Sequence, residues 1–228
     1  MENKILRYGA LASLGCATTF VFGFILLLTQ LMPYIDLHSN PEEAVKFVRA
    51  HQTLLSIWNF VIYILFGVLL TVLGIALHHK LSPVNHFQSQ LSAAIGLVWV
   101  VLVIGSGMLA NVGLTRVTGL ASVHPEMAHS LWLTIITVKE GLGGGNEIIG
   151  GLWVLLVSVT MWRNRIYSRV LSVTGIIAGI AGTLSTISPL SDLGAVFGLL
   201  LIIWFVYLGF NMMRESSGKR DQAHAGVI

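Results

Sequence analysis

Apolar residues run in long unbroken blocks along this chain, and the charges gather in the short polar segments between them. Six blocks stand out: Tyr8–Met32, about Thr53–Leu77, about Leu91–Leu114, Asn146–Trp162, about Val170–Ile187 and Leu193–Met213. Wound as helices, apolar runs of about 17–25 residues match the ~30 Å hydrocarbon core of a bilayer. The runs are continuous rather than alternating, which excludes a transmembrane β-barrel. The pattern predicts an all-α fold: a polytopic membrane bundle of six transmembrane helices, one domain over residues 1–213, with a cytoplasmic polar tail at 214–228.

Two further segments predict short helices on the outer face. After Pro33 and the interfacial Tyr34, Asn40 is a good N-cap, Pro41 suits the first helical turn and Glu42-Glu43 complement the helix dipole. Ala44, Phe47, Val48 and His51 then fall on one face, as in a helix lying on the membrane surface. Pro125–Glu140 is helical in pattern but too short in apolar residues to span, and reads as interfacial or re-entrant. It ends in Gly141-Leu142-Gly143-Gly144-Gly145, a run that breaks a helix just before Asn146-Glu147 starts the next.

Composition agrees. With 55% hydrophobic and 10% charged residues, the chain has too few charges to coat a soluble domain, where about 25% is usual. The distribution of the basic residues sets the orientation. Lys4, Arg7, Lys80, Arg163, Arg165, Arg169, Arg214, Lys219 and Arg220, nine of the 13, fall on one side if six helices cross; Lys46, Arg49, Arg116 and Lys139 fall on the other. By the positive-inside rule both termini are cytoplasmic, and a seventh span at 125–138 would put the Arg163–Arg169 cluster outside. This spread, despite a pI near 9.2, is no nucleic-acid stripe. The first block follows Lys4 and Arg7 as a signal peptide would, but it is too long and lacks a small-residue cleavage site, so it reads as a retained span. Cys16, the single cysteine, sits in an apolar run and reads as an inert buried thiol.

Three stretches carry a family likeness: LFGVLLTVLGIALHHKL at the end of the second block, RNRIYSRVLSVTGIIAGIAG between the fourth and fifth, and WFVYLGFN near the end of the sixth. Together they resemble a large bacterial family of multi-pass membrane proteins known as a domain of unknown function. The resemblance implies a six-helix protein of the bacterial plasma membrane without an assigned activity.

Candidate chemistry is sparse. Glu147 is the one acid inside a predicted span, beside Asn146 at the glycine break; it reads either as a dipole-complementing interfacial carboxylate or as an ion or substrate ligand at a broken helix. Asn59 and Asn111 lie within the second and third spans, where amides bond to a neighbouring helix or line a polar path. His51, His129, Glu140 and Glu147 share the outer face; His129 and Glu140 lie eleven residues apart, on one side of a continuous helix. No pair has a recognised metal-ligand spacing, so neither a metal nor a cofactor is expected. Gly175, Gly179 and Gly182 give the fifth span a small-residue face for close helix contact, within the chain or in a homo-oligomer or membrane partner. The expected object is an integral inner-membrane protein in contact with lipid and not acting as an enzyme. The alternatives are a small-solute or ion transporter working through the break at 141–147, and an intramembrane or metal-dependent enzyme built on the outer His and Glu residues.

Overall fold

The computed structural model describes residues 2–32, 40–142 and 147–225, the side chains of Glu2, Pro41, Glu147 and 219–225 excepted. Among these the chain forms eight helices and no strand: α1 Glu2–Thr29, α2 Pro41–Ala50, α3 Gln52–Leu81, α4 His86–Leu120, α5 Pro125–Gly141, α6 Glu147–Arg163, α7 Arg169–Leu184 and α8 Leu193–Ala225. Helices α1, α3, α4 and α8 are long and apolar enough to cross a membrane. Helices α6 and α7 are apolar but shorter, with 17 and 16 residues, or about 24–26 Å at 1.5 Å per residue. The apolar helices are those of a membrane-embedded protein.

Helices α4 and α8 outrun their apolar blocks the furthest. Helix α4 begins at His86 because Asn85 caps it, its Oδ1 accepting from the Gln88 amide at 3.1 Å. At the other end, Thr115 and Thr118 bond back to the carbonyls of Asn111 and Leu114, and Val117 is fully buried, so the helix continues to Leu120. Helix α8 carries on into the polar tail, where Arg, Glu, Lys, Gln and Ala, all good helix formers, outnumber the weaker Ser, Gly, Asp and His.

Helix α3 departs from α geometry at Phe60–Leu65, a π-helical turn in which the Phe66 amide reaches the carbonyl of Val61. Uniformly apolar FVIYIL contains nothing that announces it.

The chain folds as two compact units. The first comprises Met1–Thr18, Val68–Val101 and Asn146–Ile228. Helix–helix association in lipid gains little from the hydrophobic effect and depends on close packing, and this unit achieves that with glycines set against bulky side chains. Trp99 of α4 lies over Gly150 of α6, while Trp153 of α6 lies over Gly96 of α4: a methyl on either glycine would fall 2.6 Å from the facing indole. The two Gly-x-x-Trp segments thus lock reciprocally. Trp153 continues the stack to Trp204 of α8, with centroids 5.5 Å from Trp99 and 5.9 Å from Trp204. Between α6 and α7 the backbones themselves touch, Gly151 against Gly179, Gly182 and Thr183. Gly175, Gly179 and Gly182 are all buried inside this unit.

The second unit comprises Thr19–Gly67 and Leu102–Gly145. Its core joins Ala44, Val45 and Val48 of α2 to Ala128, Trp132, Ile135 and Ile136 of α5, with Leu31, Leu55, Leu114 and Val117. Helix α2 starts as its sequence dictates: Asn40 caps it through the Glu43 amide, Pro41 opens it and Glu42-Glu43 occupy the first turn. The Trp58 indole donates to the Gly23 carbonyl at 3.1 Å, tying α3 to α1.

Candidate functional site

The polar centre of the second unit is built from two amides in otherwise apolar helices. Asn59, buried in α3, donates through Nδ2 to Oδ1 of Asn111 in α4 at 3.2 Å. Asn111 in turn donates through Nδ2 to the Ser56 carbonyl at 3.3 Å. That carbonyl also accepts from the Phe60 amide, the first residue of the π-helical turn. A polar side chain bonded into the backbone ladder of a span satisfies groups that lipid would leave bare, and π-helical turns are frequent where a helix serves a site.

Asn111 forms the inner end of an open groove of about 850 Å³ lined by Val112, Thr115, Arg116, Gly119, Leu120 and Leu131. Its lining is mixed: Asn111, Thr115 and Arg116 supply polar groups, and Val112, Leu120 and Leu131 supply apolar surface. Among the described residues Arg116 makes no ion pair. Arg116 and Thr115 carry no motif, so nothing in the sequence singles them out.

The outer histidines and acids are dispersed. His51 caps the end of α2, stacks on Phe47 at 4.2 Å and donates from Nδ1 to the Phe47 carbonyl at 3.0 Å. His129 of α5 lies near Glu42 of α2; the hydrogen bond and charge of Lys46 hold the Glu42 carboxyl below its ordinary value, with a smaller share from His129. Glu140 lies eleven residues beyond His129 on the same helix, about 16 Å along the axis. Among the described residues no three His, Cys, Asp or Glu side chains gather closely enough to hold a metal. Asn146, Gly143–Gly145 and the side chain of Glu147, and with them the broken-helix site, lie outside the described residues.

The family model for the domain of unknown function DUF4386 matches residues 9–213, from the start of the first apolar block to the end of the last. The chain belongs to the DUF4386 family. Neither the curated proteins nor the solved structures include one that matches it.

This DUF4386 protein has a second polar cluster, in the first unit. Lys80, at the end of α3, pairs with Glu215 of α8 at 2.5 Å. Tyr167, in the turn between α6 and α7, donates its hydroxyl to the other Glu215 oxygen at 2.9 Å and lies under the Lys80 ammonium at 5.7 Å. Burial, then the Glu215 charge, pushes the Tyr167 phenol well above its usual range, so it stays a donor. The partners are 135 and 48 residues apart in sequence, which is why no local motif reveals them.

Proposed function

We propose that this protein is a binding protein of the bacterial inner membrane that takes a small amphipathic anion into the α4 groove. One observation carries the reading: the groove sets the guanidinium of Arg116, which makes no ion pair among the described residues, alongside the apolar side chains of Val112, Leu120 and Leu131. An anionic head group matches the arginine fork, which presents donors in a fixed plane, and a short hydrocarbon tail matches Val112 and Leu131. Non-catalytic binding suits the satisfied amides of Asn59 and Asn111, which hold their helices and leave the groove's shape intact. Movement of the bound anion, the transport reading, is favoured by the π-helical turn beside Asn59, since such turns are frequent at functional sites.

A fluorescent fatty-acid analogue titrated into the purified protein tests the site. Arg116→Gln should weaken binding about tenfold or more, the value of one charge-assisted hydrogen bond, and Leu131→Trp should block the groove by volume. Unchanged affinity in both variants would sink the proposal.

The same reading holds six crossings, with α6 and α7 spanning by local thinning of the bilayer, and both termini in the cytoplasm. The nine-to-four split of basic residues supports this orientation. On a Cys16→Ser background, Met127→Cys should react with an impermeant maleimide in intact cells and Ser217→Cys should not. Labelling of Ser217→Cys from the periplasm would reverse the orientation.

A further inference from the structure

We propose that the turn between α6 and α7 is a phosphate-binding pocket, and that an anionic phospholipid brings the phosphate. The pocket, of about 490 Å³, is lined among others by Trp162, Arg163, Arg165, Tyr167 and Arg169. Three guanidinium groups converge there from seven consecutive residues, and among the described residues none of them makes an ion pair. The nearby carboxylate of Glu215 is already engaged by Lys80 and Tyr167, so the arginine charge stays available. Arginine suits phosphate because its planar fork can donate two parallel bonds.

The turn is held in shape. The amides of Asn164, Arg165 and Ile166 bond back to the carbonyls of Thr160, Trp162 and Met161, and the Asn164 side chain donates to Thr160 as well. Arg165 and Tyr167 take left-handed backbone angles, with φ of 53° and 63°, which residues other than glycine adopt only when their surroundings impose it. Tyr167 is anchored through its hydroxyl, and the Arg169 guanidinium rests over the Trp162 ring at 5.8 Å. The pocket is thus organised ahead of a ligand.

The neighbouring surface favours a lipid over free phosphate. From the pocket, α7 presents Val170, Val173, Ile177, Ile180 and Leu184, all exposed and spaced to form one apolar stripe along the helix. A head group at the arginines would lay its acyl chain on that stripe. Basic pockets at the cytoplasmic ends of membrane helices recognise anionic head groups in this way.

The test uses the full-length protein in uncharged detergent, with bound lipid counted by native mass spectrometry. Phosphatidylglycerol, phosphatidylcholine and inorganic phosphate are added in separate arms. Phosphatidylglycerol should be retained over phosphatidylcholine, and the triple variant Arg163→Gln/Arg165→Gln/Arg169→Gln should weaken it about hundredfold, from roughly one charge's worth per arginine. The double variant Arg163→Gln/Arg169→Gln leaves the left-handed position untouched, which guards against a misfolded turn, and should weaken it about thirtyfold. A charge-matched control, Lys4→Gln/Arg7→Gln/Arg214→Gln, should change retention less than about threefold. Equal losses in the control and the arginine triple would mean diffuse attraction and overturn the pocket. Equal retention of the two lipids would also overturn it. Inorganic phosphate binding where phosphatidylglycerol does not would overturn the lipid assignment.

Discussion

A single methyl group added at Gly179 or Gly151 is expected to lower the melting midpoint in detergent sharply, while the same change at Gly74 leaves it unchanged or raises it. At Gly179 the new carbon would lie 2.7 Å from the Gly151 carbonyl oxygen and 2.8 Å from the Leu155 amide nitrogen; at Gly151 it would lie 2.6 Å from the Thr183 nitrogen. These obstacles are backbone, which cannot rotate aside, so α6 and α7 must separate. Overpacking of this kind costs about 1–3 kcal/mol, and Gly179→Ile should exceed that range. Gly74 has nothing within 4 Å of a new carbon, and Ala is favoured over Gly in a helix by about 1 kcal/mol. Val173→Ile, on the outer face of α7, is the matched control for bulk. Equal effects at Gly179 and Val173 would mean that the contact between the two helices does not carry their packing.

How much of this was legible from the residues depends on the distance over which each feature is determined. Helix α2 could be read almost atom by atom, because Asn40, Pro41 and Glu42-Glu43 act within one turn. The long apolar blocks became helices because lipid leaves the backbone no better partner than itself, although the structure gives four helices of spanning length and two shorter ones. The glycines of α7 were visible as a small-residue stripe, but their partner Gly151 was not, since one helix says nothing about which neighbour it meets. The sharper signal is a repeat: Gly96-Leu-Val-Trp99 and Gly150-Gly-Leu-Trp153 are the same device in two helices, and they fit reciprocally.

The candidate site was legible in its amides and not in its charge. Asn59 and Asn111 are conspicuous because polar residues inside an apolar helix need a partner, and they bond to each other. In the sequence Arg116 is one of four basic residues on the outer side, and its place in a groove with Leu131 of α5 is set by the fold. The π-helical turn at Phe60–Leu65 was invisible for a different reason: side chains that are all apolar leave the hydrogen-bond pattern to the tertiary environment.

Removing Lys80 is expected to destabilise the first unit strongly, and removing its partner as well is expected to restore part of the loss. The side chains of Lys80 and Glu215 are 23% and 19% exposed, so Lys80→Met removes the cation that balances the Glu215 carboxylate, which stays largely withdrawn from water and still accepts from the Tyr167 hydroxyl. Breaking a fully buried pair costs about 3–5 kcal/mol; partial exposure brings the expectation to about 2–3 kcal/mol. Glu215→Gln alone strands the ammonium over the Tyr167 ring, which offers it some compensation. In Lys80→Met/Glu215→Gln neither charge is left, and the glutamine oxygen can still accept from Tyr167. The double variant should therefore be more stable than the sum of the single losses predicts, by about 1–3 kcal/mol in a double-mutant cycle. The exposed pair Glu42–Lys46, joined at 2.6 Å within one turn of α2, is the contrast: solvent already stabilises both charges, and its cycle should show little coupling. Thermal unfolding of the four proteins of each cycle decides the matter. Losses at Lys80 and Glu215 that add within about 0.5 kcal/mol would show that the two residues stabilise the fold independently, and that the short contact between them holds nothing together.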